Sequence, residues 1–397
     1  MKYASIILLF FAMLNMKSFA QDQDSDPEDN NPKARKIILP QLPGYKTLKA
    51  DFHMHTIFSD GWVWPSFRVD EAVRDGLDVI SLTEHMDFMK TTDSLVWDRN
   101  HSYEIATEYA KDKNILVIKG VEISPRVQPY HNNVLFVKDA NLPFNYMKSS
   151  RKVFVQKENA THDELMAPFL AAQKQDAFVV YNHPGNMPTW MVHDTAVLTA
   201  FHKELLDKKI LKGIEVVNSG NYNVRAHQIA MQYNLTMLCN TDEHTGTFRY
   251  KDGHRPMTLV FATEKTEAAV KEAMLAGRTA LYFGDYLIAR QREAEPFFKA
   301  AITARTEKGI RKKEPILNVK LMNNSDLPFK LEVRNSNYAM EKYPLGQVVL
   351  PPHKETTIML RGMWEYPQEV KFNIRVTNIL VTAEECLSTS LTLPVNK

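Results

Sequence analysis

The sequence of 397 residues contains very little cysteine. Its two cysteines, Cys239 and Cys386, lie far apart and fit no metal-binding or redox spacing. A disulfide between them cannot be inferred from the sequence. This scarcity excludes a small scaffold held together by disulfides, and it gives no reason to expect thiol chemistry.

The sequence also lacks an excess of charge of either sign. Lysine and arginine number 49 and aspartate and glutamate 47, which leaves a formal net charge of +2. A balance this small produces no general attraction to nucleic acid or to an anionic membrane. Any anion binding must therefore come from a local site, and no nucleic-acid partner is indicated.

Long apolar runs are missing, and the strongest short one lies at the N-terminus. Lys2 precedes the apolar run Ile6–Leu14, and Ser18 and Ala20 place small residues where a signal peptidase cleaves. The run is too short for the ~20 residues that a membrane-spanning helix requires. We therefore predict a signal peptide at 1–20, no membrane span, and an exported protein in the periplasm or outside the cell.

The rest of the chain, with 44% apolar residues overall, divides by pattern. Residues 21–44 open with an acidic, polar run and are predicted to form a flexible leader. Residues 45–290 alternate short apolar runs with amphipathic stretches, as strands joined by crossover helices do. One such helix is predicted at Thr266–Leu275, where Gly277 supplies the stop. The pattern predicts an α/β domain built on a parallel sheet or barrel.

The pattern changes after about residue 300, where helical periods disappear. Phe329, Leu331 and Val333 alternate with charged residues, as in half-buried antiparallel strands. We predict a small C-terminal all-β sandwich domain at 313–397. The charged residues before it predict a solvated linker at 291–312.

Six of the thirteen histidines lie at or just after predicted strand ends, each within a short polar cluster. The first cluster holds His53 and His55, which point the same way in a strand and can meet one cation, with Asp60 following. Because the carboxyl ends of parallel strands converge on one rim, we expect the clusters to form one centre. In chain order the later clusters contain Glu84 and His85, Glu122 and His131, His183, and Asp242 and His244.

In this order the clusters resemble the motifs of the polymerase and histidinol phosphatase (PHP) superfamily of metal-dependent phosphoesterases. The resemblance spans about Tyr45 to Phe283. The segment DFHMHTIFSDG, on a chain predicted to be secreted, is similar to the corresponding segment of exported bacterial PHP-type phosphodiesterases. Glu84 departs from the pattern, because the family commonly has aspartate there. The resemblance implies a distorted seven-stranded βα barrel that holds two or three divalent metal ions at the carboxyl ends of its strands.

The resemblance also implies how nine ligands divide among the ions. One ion would be held by His53, His55, Glu122 and Asp242, a second by Glu122, His131 and His183, and a third by Asp60, His85 and His244. Glu122 would bridge two ions. Imidazole and carboxylate ligands without thiolate suit zinc, manganese or iron, and the sequence does not choose among them.

Charge balance then indicates the kind of substrate. The positive charge of three divalent ions would exceed the negative charge of Asp60, Glu122 and Asp242, because histidines bind metal in their neutral form. The surplus favours a hydroxide and an anionic phosphoryl group. We predict a hydrolase of phosphodiester or phosphomonoester bonds in small molecules, in which a hydroxide bridging two ions attacks phosphorus in line. Glu122, His183 and Asp242 would act through that hydroxide.

Arginines are the candidate phosphate contacts that do not bind metal. Arg225 follows a predicted strand and could reach the phosphate, as could Arg126, although a solvated surface position is equally consistent with either sequence context. Substrate selection is expected to depend on the loops at 146–159 and 186–194. The oligomeric state is not predicted.

Two other interpretations remain open at this point. Amidohydrolase-like enzymes that cleave carbon–nitrogen bonds also begin with paired histidines, although the bridging position here is Glu122 and not a lysine that could be carboxylated. The chain could also be a noncatalytic binding protein that metal ions stabilise. Metal binding without turnover would favour the second of these.

Overall fold

The computed structural model describes residues 35–90, 95, 97–143, 160–185, 196–251, 253–334 and 337–395. The predicted signal peptide, the leader up to residue 34 and the two selectivity loops at 146–159 and 186–194 lie outside these residues. No helix in the described part is long and apolar enough to cross a membrane.

A mixed barrel of seven strands forms the first domain. Its strands, in barrel order, are β1 (Lys46–Asp51), β2 (Val79–Leu82), β3 (Leu116–Ile123), β4 (Asn132–Leu135), β5 (Phe178–Tyr181), β6 (Leu211–Asn218) and β8 (Thr236–Asn240), and the two-residue strand β7 (Asn221–Tyr222) pairs with β6. All neighbours are parallel except β4, which runs antiparallel to both β3 and β5. The antiparallel strand β4 is what makes the βα barrel distorted. The seven-stranded barrel confirms this part of the predicted fold class.

The barrel closes through the segments that follow β1 and β8. The His55 N–H donates to the Glu243 carbonyl at 2.9 Å, and the Asp242 N–H donates to the His53 carbonyl at 2.9 Å. A further isolated bridge joins His85 to Glu122 just beyond β2. The ladders thus extend into the polar clusters, and the candidate ligands lie on backbone that the sheet holds in place.

Helices cover the outside of the barrel. They are α1 (Pro65–Arg74), α2 (His101–Tyr109), α3 (His162–Lys174), α4 (Ala200–Asp207), α5 (Val224–Gln232), α6 (Glu267–Leu275) and α7 (Gln291–Ala301), with a 3₁₀ turn at Thr247–Tyr250. The Thr266 side chain caps α6, and Gly277 (φ 68°) follows its end as predicted.

An antiparallel extension links the barrel to the second domain. It comprises β9 (Met257–Ala262), which pairs with β1, then β10 (Thr279–Phe283) and β11 (Tyr286–Ala289). The all-β domain has one sheet of β12 (Ile302–Arg311), β13 (Glu314–Asn323), β17 (Glu355–Arg361) and β15 (Ala339–Met340), and a second of β16 (Gln347–Leu350), β14 (Phe329–Arg334), β18 (Glu369–Leu380) and β19 (Cys386–Pro394). Strand β18 also pairs in parallel with β11, so one sheet runs through both domains.

Two of the predicted boundaries are wrong. The linker predicted at 291–312 is α7 followed by β12, because Phe297 and Phe298 are buried and β12 pairs with β13 along its whole length. Residues 35–44 of the predicted leader pack against the folded domain, since Leu39 and Leu42 are buried in the core. Charged residues on the exposed strand β12 and the proline inside α7 conceal these elements in the sequence.

Candidate metal centre

The nine predicted ligands meet at the carboxyl end of the barrel. Each offers a nitrogen or oxygen within 4.8 Å of those of its neighbours, in four overlapping groups. The groups are His53, His55 and Asp242; His53, Glu122 and His183; His85, Glu122 and His131; and His55, Asp60, His85 and His244. The structure thus brings all nine together, while their division among ions stays a prediction.

Glu122 lies at the middle of the cluster and is completely buried. Five imidazoles approach its carboxylate, including His85 Nδ1 at 2.6 Å, His131 Nδ1 at 3.3 Å and His183 Nε2 at 3.6 Å. Burial raises the pKa of Glu122, but His131, His85 and His53 together hold it well below its usual range. An ionised carboxylate with both oxygens facing imidazoles has the position that a bridging ligand requires.

Asp60 organises the outer part of the cluster. Its carboxylate lies 3.2 Å from His244 Nε2 and 3.3 Å from His85 Nε2. The ring of His55 stacks on those of His244 and His85, with centroid distances of 4.2 and 4.4 Å. Burial and these two neighbours lower the pKa of His55 to about 3, so its imidazole is neutral and presents a lone pair.

Two of the candidate ligands have left-handed backbone conformations. His183 has φ 25° and Asp242 has φ 55°, values that non-glycine residues rarely adopt. The His183 N–H is held by a 2.7 Å hydrogen bond to Glu215 Oε2. Such backbone conformations persist only where the surroundings impose them, and they concentrate at functional sites.

Sequence reasoning missed Glu215, which orients His53. Glu215 is buried on β6, and its Oε1 accepts hydrogen bonds from His53 Nδ1 (2.8 Å) and Asn240 Nδ2 (2.8 Å). A carboxylate that accepts from one ring nitrogen fixes the tautomer and directs the other nitrogen to a metal. The available signal was a glutamate between Ile214 and Val216 within a short apolar run.

The surroundings of His53 fit a metal cation. Nδ1–H donates to Glu215, and Nε2 faces Asp242 Oδ1 at 3.2 Å and Glu122 Oε1 at 3.4 Å. Burial lowers the pKa of His53, but Asp242, Glu215 and Glu122 together raise it well above its usual value. Nε2 is buried and makes no hydrogen bond within the described structure. A buried ring nitrogen this close to two carboxylates requires a positive charge at that place, which a proton supplies without metal and a metal cation supplies when one is bound. The donor set, without sulfur, suits zinc, manganese or iron.

Glu84 supports the loop that carries Asp60. It is buried, and its carboxylate accepts hydrogen bonds from the Thr56 N–H (3.1 Å), Thr56 Oγ1 (2.5 Å) and Ser59 Oγ (2.6 Å). Arg68 supports the same region from outside, since its guanidinium donates to the carbonyls of His55 and Glu243. Glu84 therefore has a structural role, which the departure of its motif from the family pattern had left open.

The candidate phosphate contacts differ in position. Arg225 lines a cavity of about 410 Å³ that also reaches His183 and Glu215. Arg126 is half-buried and within electrostatic range of Asp87 and Asp60, and burial lowers its pKa. Arg225 thus shares a cavity with one candidate ligand, His183, and Arg126 lies within electrostatic range of another, Asp60.

A barrel with an imidazole and carboxylate cluster at its carboxyl rim, joined to an all-β domain, defines a two-domain metallohydrolase. The sequence matches the PHP domain family over residues 51–246 and an Ig-like domain family over residues 302–392. It is also similar to the crystal structure of a two-domain protein from Bacteroides vulgatus that contains a predicted PHP-like metal-dependent phosphoesterase. The two are 34% identical with a TM-score of 0.78, over 91% of this chain and 99% of that one. The chain belongs to the PHP family of metal-dependent phosphoesterases.

More distant likenesses are weaker. An amidohydrolase from Chromobacterium violaceum, with bound sulfate and no metal, is 18% identical over 52% of this chain and 90% of that one, with a TM-score of 0.34. Histidinol phosphate phosphatase from Lactococcus lactis, complexed with zinc, L-histidinol and phosphate, is 17% identical over 57% and 93%, with a TM-score of 0.29. Comparison with curated proteins gives no significant match.

Proposed function

We propose that this protein is an exported hydrolase of phosphodiester or phosphomonoester bonds in small molecules, with two or three divalent ions of zinc, manganese or iron. The observation that carries the proposal is the convergence of nine buried or half-buried imidazole and carboxylate ligands on one centre beside a cavity. Family membership supports phosphoester chemistry. The ligand atoms are oxygen and nitrogen without sulfur, which supports the choice of metals.

The residues that would hold the ions are the nine ligands described above, with Glu122 bridging. Bound ions supply Lewis acidity toward phosphoryl oxygens and lower the pKa of water to about 7. The chain itself orients the ligands: Glu215 fixes the tautomer of His53, and Glu84 holds the loop of Asp60. Arg225, at the cavity wall, would bind a phosphoryl oxygen and place the ester for in-line attack.

Glu215 changes the charge balance of the site. Glu215 is a fourth carboxylate beside buried Glu122 and half-buried Asp60 and Asp242, so three divalent ions would leave a surplus of two positive charges instead of three. That surplus still favours an anionic substrate. A monoester dianion would neutralise it, and a diester anion together with hydroxide would do the same.

The proposal is tested by metal content and ester hydrolysis on the chain from residue 21 to 397. We expect two or three ions per chain by mass spectrometry and metal-dependent release of nitrophenol with added manganese or zinc. A preference for bis-nitrophenyl phosphate indicates a phosphodiesterase, and a preference for nitrophenyl phosphate indicates a phosphatase. Metal without hydrolysis of either ester would contradict the proposal and favour a binding protein or an amidohydrolase.

Export is a separate part of the proposal and rests on residues 1–20. Expression of the full chain in a Gram-negative host, followed by fractionation and N-terminal sequencing, tests it. We expect mature protein outside the cytoplasm with Gln21 as its first residue. Retention in the cytoplasm with Met1 intact would contradict export without affecting the hydrolase assignment.

A further inference from the structure

A turn of the Ig-like domain contacts a residue that lines the cavity beside the metal cluster. This turn, residues 381–385, joins β18 to β19, and its Glu384 Oε1 accepts a 2.6 Å hydrogen bond from Gln228 Nε2 on α5. Gln228 and Arg225 line the same cavity as His183. The second domain therefore contacts a residue of the proposed substrate cavity, 156 positions away in the sequence.

Gln228 connects Glu384 to Arg225 with a defined polarity. Its Oε1 accepts a hydrogen bond of 3.2 Å from Arg225 Nη1, while its Nε2 donates to Glu384. A carboxylate only accepts hydrogen bonds and a guanidinium only donates them, so the amide satisfies both partners in one orientation alone. Reversing the amide would place two donors against each other at Arg225 and two acceptors against each other at Glu384.

The turn that carries Glu384 is itself well ordered by its own hydrogen bonds. Thr382 Oγ1 accepts from the N–H groups of Glu384 (3.2 Å) and Glu385 (3.0 Å), and the Val381 N–H donates to the Glu385 carbonyl at 2.9 Å. The preceding strand β18 is hydrogen-bonded to β11 of the barrel extension. Glu384 thus approaches α5 from a position that the continuous sheet determines.

We propose that Glu384 is a positioning residue through which the Ig-like domain orients Arg225 toward the phosphoryl group of the substrate. The identity of that group rests on the proposed function. Glu384 holds the Gln228 amide, and the amide oxygen limits the conformations of an otherwise exposed arginine. Losing this restraint should weaken binding of the phosphoryl group, and raise KM, with little change in kcat.

The test measures binding of inorganic phosphate to the metal-loaded chain by calorimetry, alongside KM and kcat for bis-nitrophenyl phosphate. We expect Glu384→Ala to weaken phosphate binding and raise KM by about 3- to 10-fold, the effect of one hydrogen bond. Glu384→Gln retains an oxygen acceptor and should bind as the unmodified chain does. Arg225→Ala should weaken binding by about 10-fold or more, because it removes a charge-assisted contact.

Glu385→Ala is the matched control. Glu385 is exposed, carries the same charge one residue away, and makes no side-chain hydrogen bond or ion pair within the described residues. It should leave phosphate affinity unchanged. The double variant Glu384→Ala, Arg225→Ala should match Arg225→Ala alone, because Glu384 acts through that arginine.

Several results would overturn the inference. Unchanged phosphate affinity in Glu384→Ala would do so, as would equal weakening by Glu384→Ala and Glu384→Gln. Tighter phosphate binding in both Glu384→Ala and Glu384→Gln would show that only the charge of Glu384 matters. A further loss of phosphate affinity when Glu384→Ala is added to Arg225→Ala would show that Arg225 is not the intermediary.

A chain that binds phosphate with the expected pattern but hydrolyses no ester would refute the proposed function and leave the inference standing. No phosphate binding by the unmodified chain would refute the inference.

Discussion

The rim of the barrel and the Ig-like domain bury very different polar groups. Around the metal centre the buried side chains include His53, Glu122 and Glu215, which carry or compensate charge. In the described part of the Ig-like domain the buried polar side chains are neutral, namely Asn323, Ser325, Thr356 and Asn378. Burying ionisable groups is costly unless they are paired or bind metal. Reactivity is therefore concentrated in the barrel, while apolar packing stabilises the Ig-like domain.

The largest effect is expected from removing a ligand at the rim. Asp242→Ala should lower metal content and reduce turnover by more than about 100-fold, because losing even a residue that orients a ligand costs up to that much. His183→Ala should behave similarly. Asp163→Ala, an exposed residue at the start of α3, is the control and should retain both properties. Full activity in Asp242→Ala with normal metal content would contradict the proposed centre.

A core substitution in the Ig-like domain should do the opposite, lowering stability without removing metal. Phe372→Ala deletes a ring that is 1% exposed and should reduce the free energy of unfolding by about 3–5 kcal/mol. Metal content per folded chain should not change. Trp364→Ala, at a ring that is 98% exposed, should cost less than about 0.5 kcal/mol. Denaturant unfolding with parallel metal analysis measures both, and metal loss in folded Phe372→Ala would break the contrast.

Glu215→Gln tests whether the buried carboxylate tunes the centre. It keeps an acceptor for His53 Nδ1 but removes the charge, so metal affinity should fall by about 10- to 100-fold. Competition with a chelator measures the change. Glu204→Gln alters a carboxylate that accepts from His162 Nε2 on the surface and should leave metal affinity unchanged. Equal metal affinities for the unmodified chain, Glu215→Gln and Glu204→Gln would show that Glu215 has only a packing role.

The smallest effect concerns His202, a buried histidine of α4 outside the cluster. Burial lowers its pKa to about 3, below the value of about 6.5 in the unfolded chain. The unfolded chain therefore binds more protons between these values, and stability falls as the pH drops through 6.5 toward 3, by up to about 1.4 kcal/mol per pH unit. His202→Gln should flatten this dependence between pH 5 and 7 relative to the unmodified chain, in unfolding experiments with chelator present. Parallel curves for the two chains would refute the expectation.

The sequence is informative where one pattern has one structural solution. Apolar runs such as Phe178–Tyr181 are long enough only for buried strands, and the polar residues that follow them must meet at the rim. The nine clustered residues could therefore be predicted together. Glu215 could not, because it lies within a strand and acts on His53 only through a contact made across the barrel.

The missed elements have a common physical origin. Residues of strand β12 alternate between half-buried and exposed and none is fully buried, so the strand has only a weak apolar pattern, and pairing with β13 reveals it. In α7 the charged first turn and Pro296 obscure a face that buries Phe297. Apolar periodicity in the sequence identifies a strand or helix by the face that it buries. It fails for an element such as β12, which is formed chiefly by hydrogen bonds to a neighbouring strand.

The pairing of β11 with β18 has a consequence for how this chain could be divided. The two domains share one apolar core, in which Phe261 and Phe297 belong to the same cluster as Phe329 and Phe372. Ending the chain near residue 300 would uncover that cluster and leave the β11 edge without its neighbour, which favours aggregation. The Ig-like domain therefore cannot be replaced independently of the barrel. A recombination event that exchanged this domain would have to preserve the strand that pairs with β11 and the apolar surface that the two domains share.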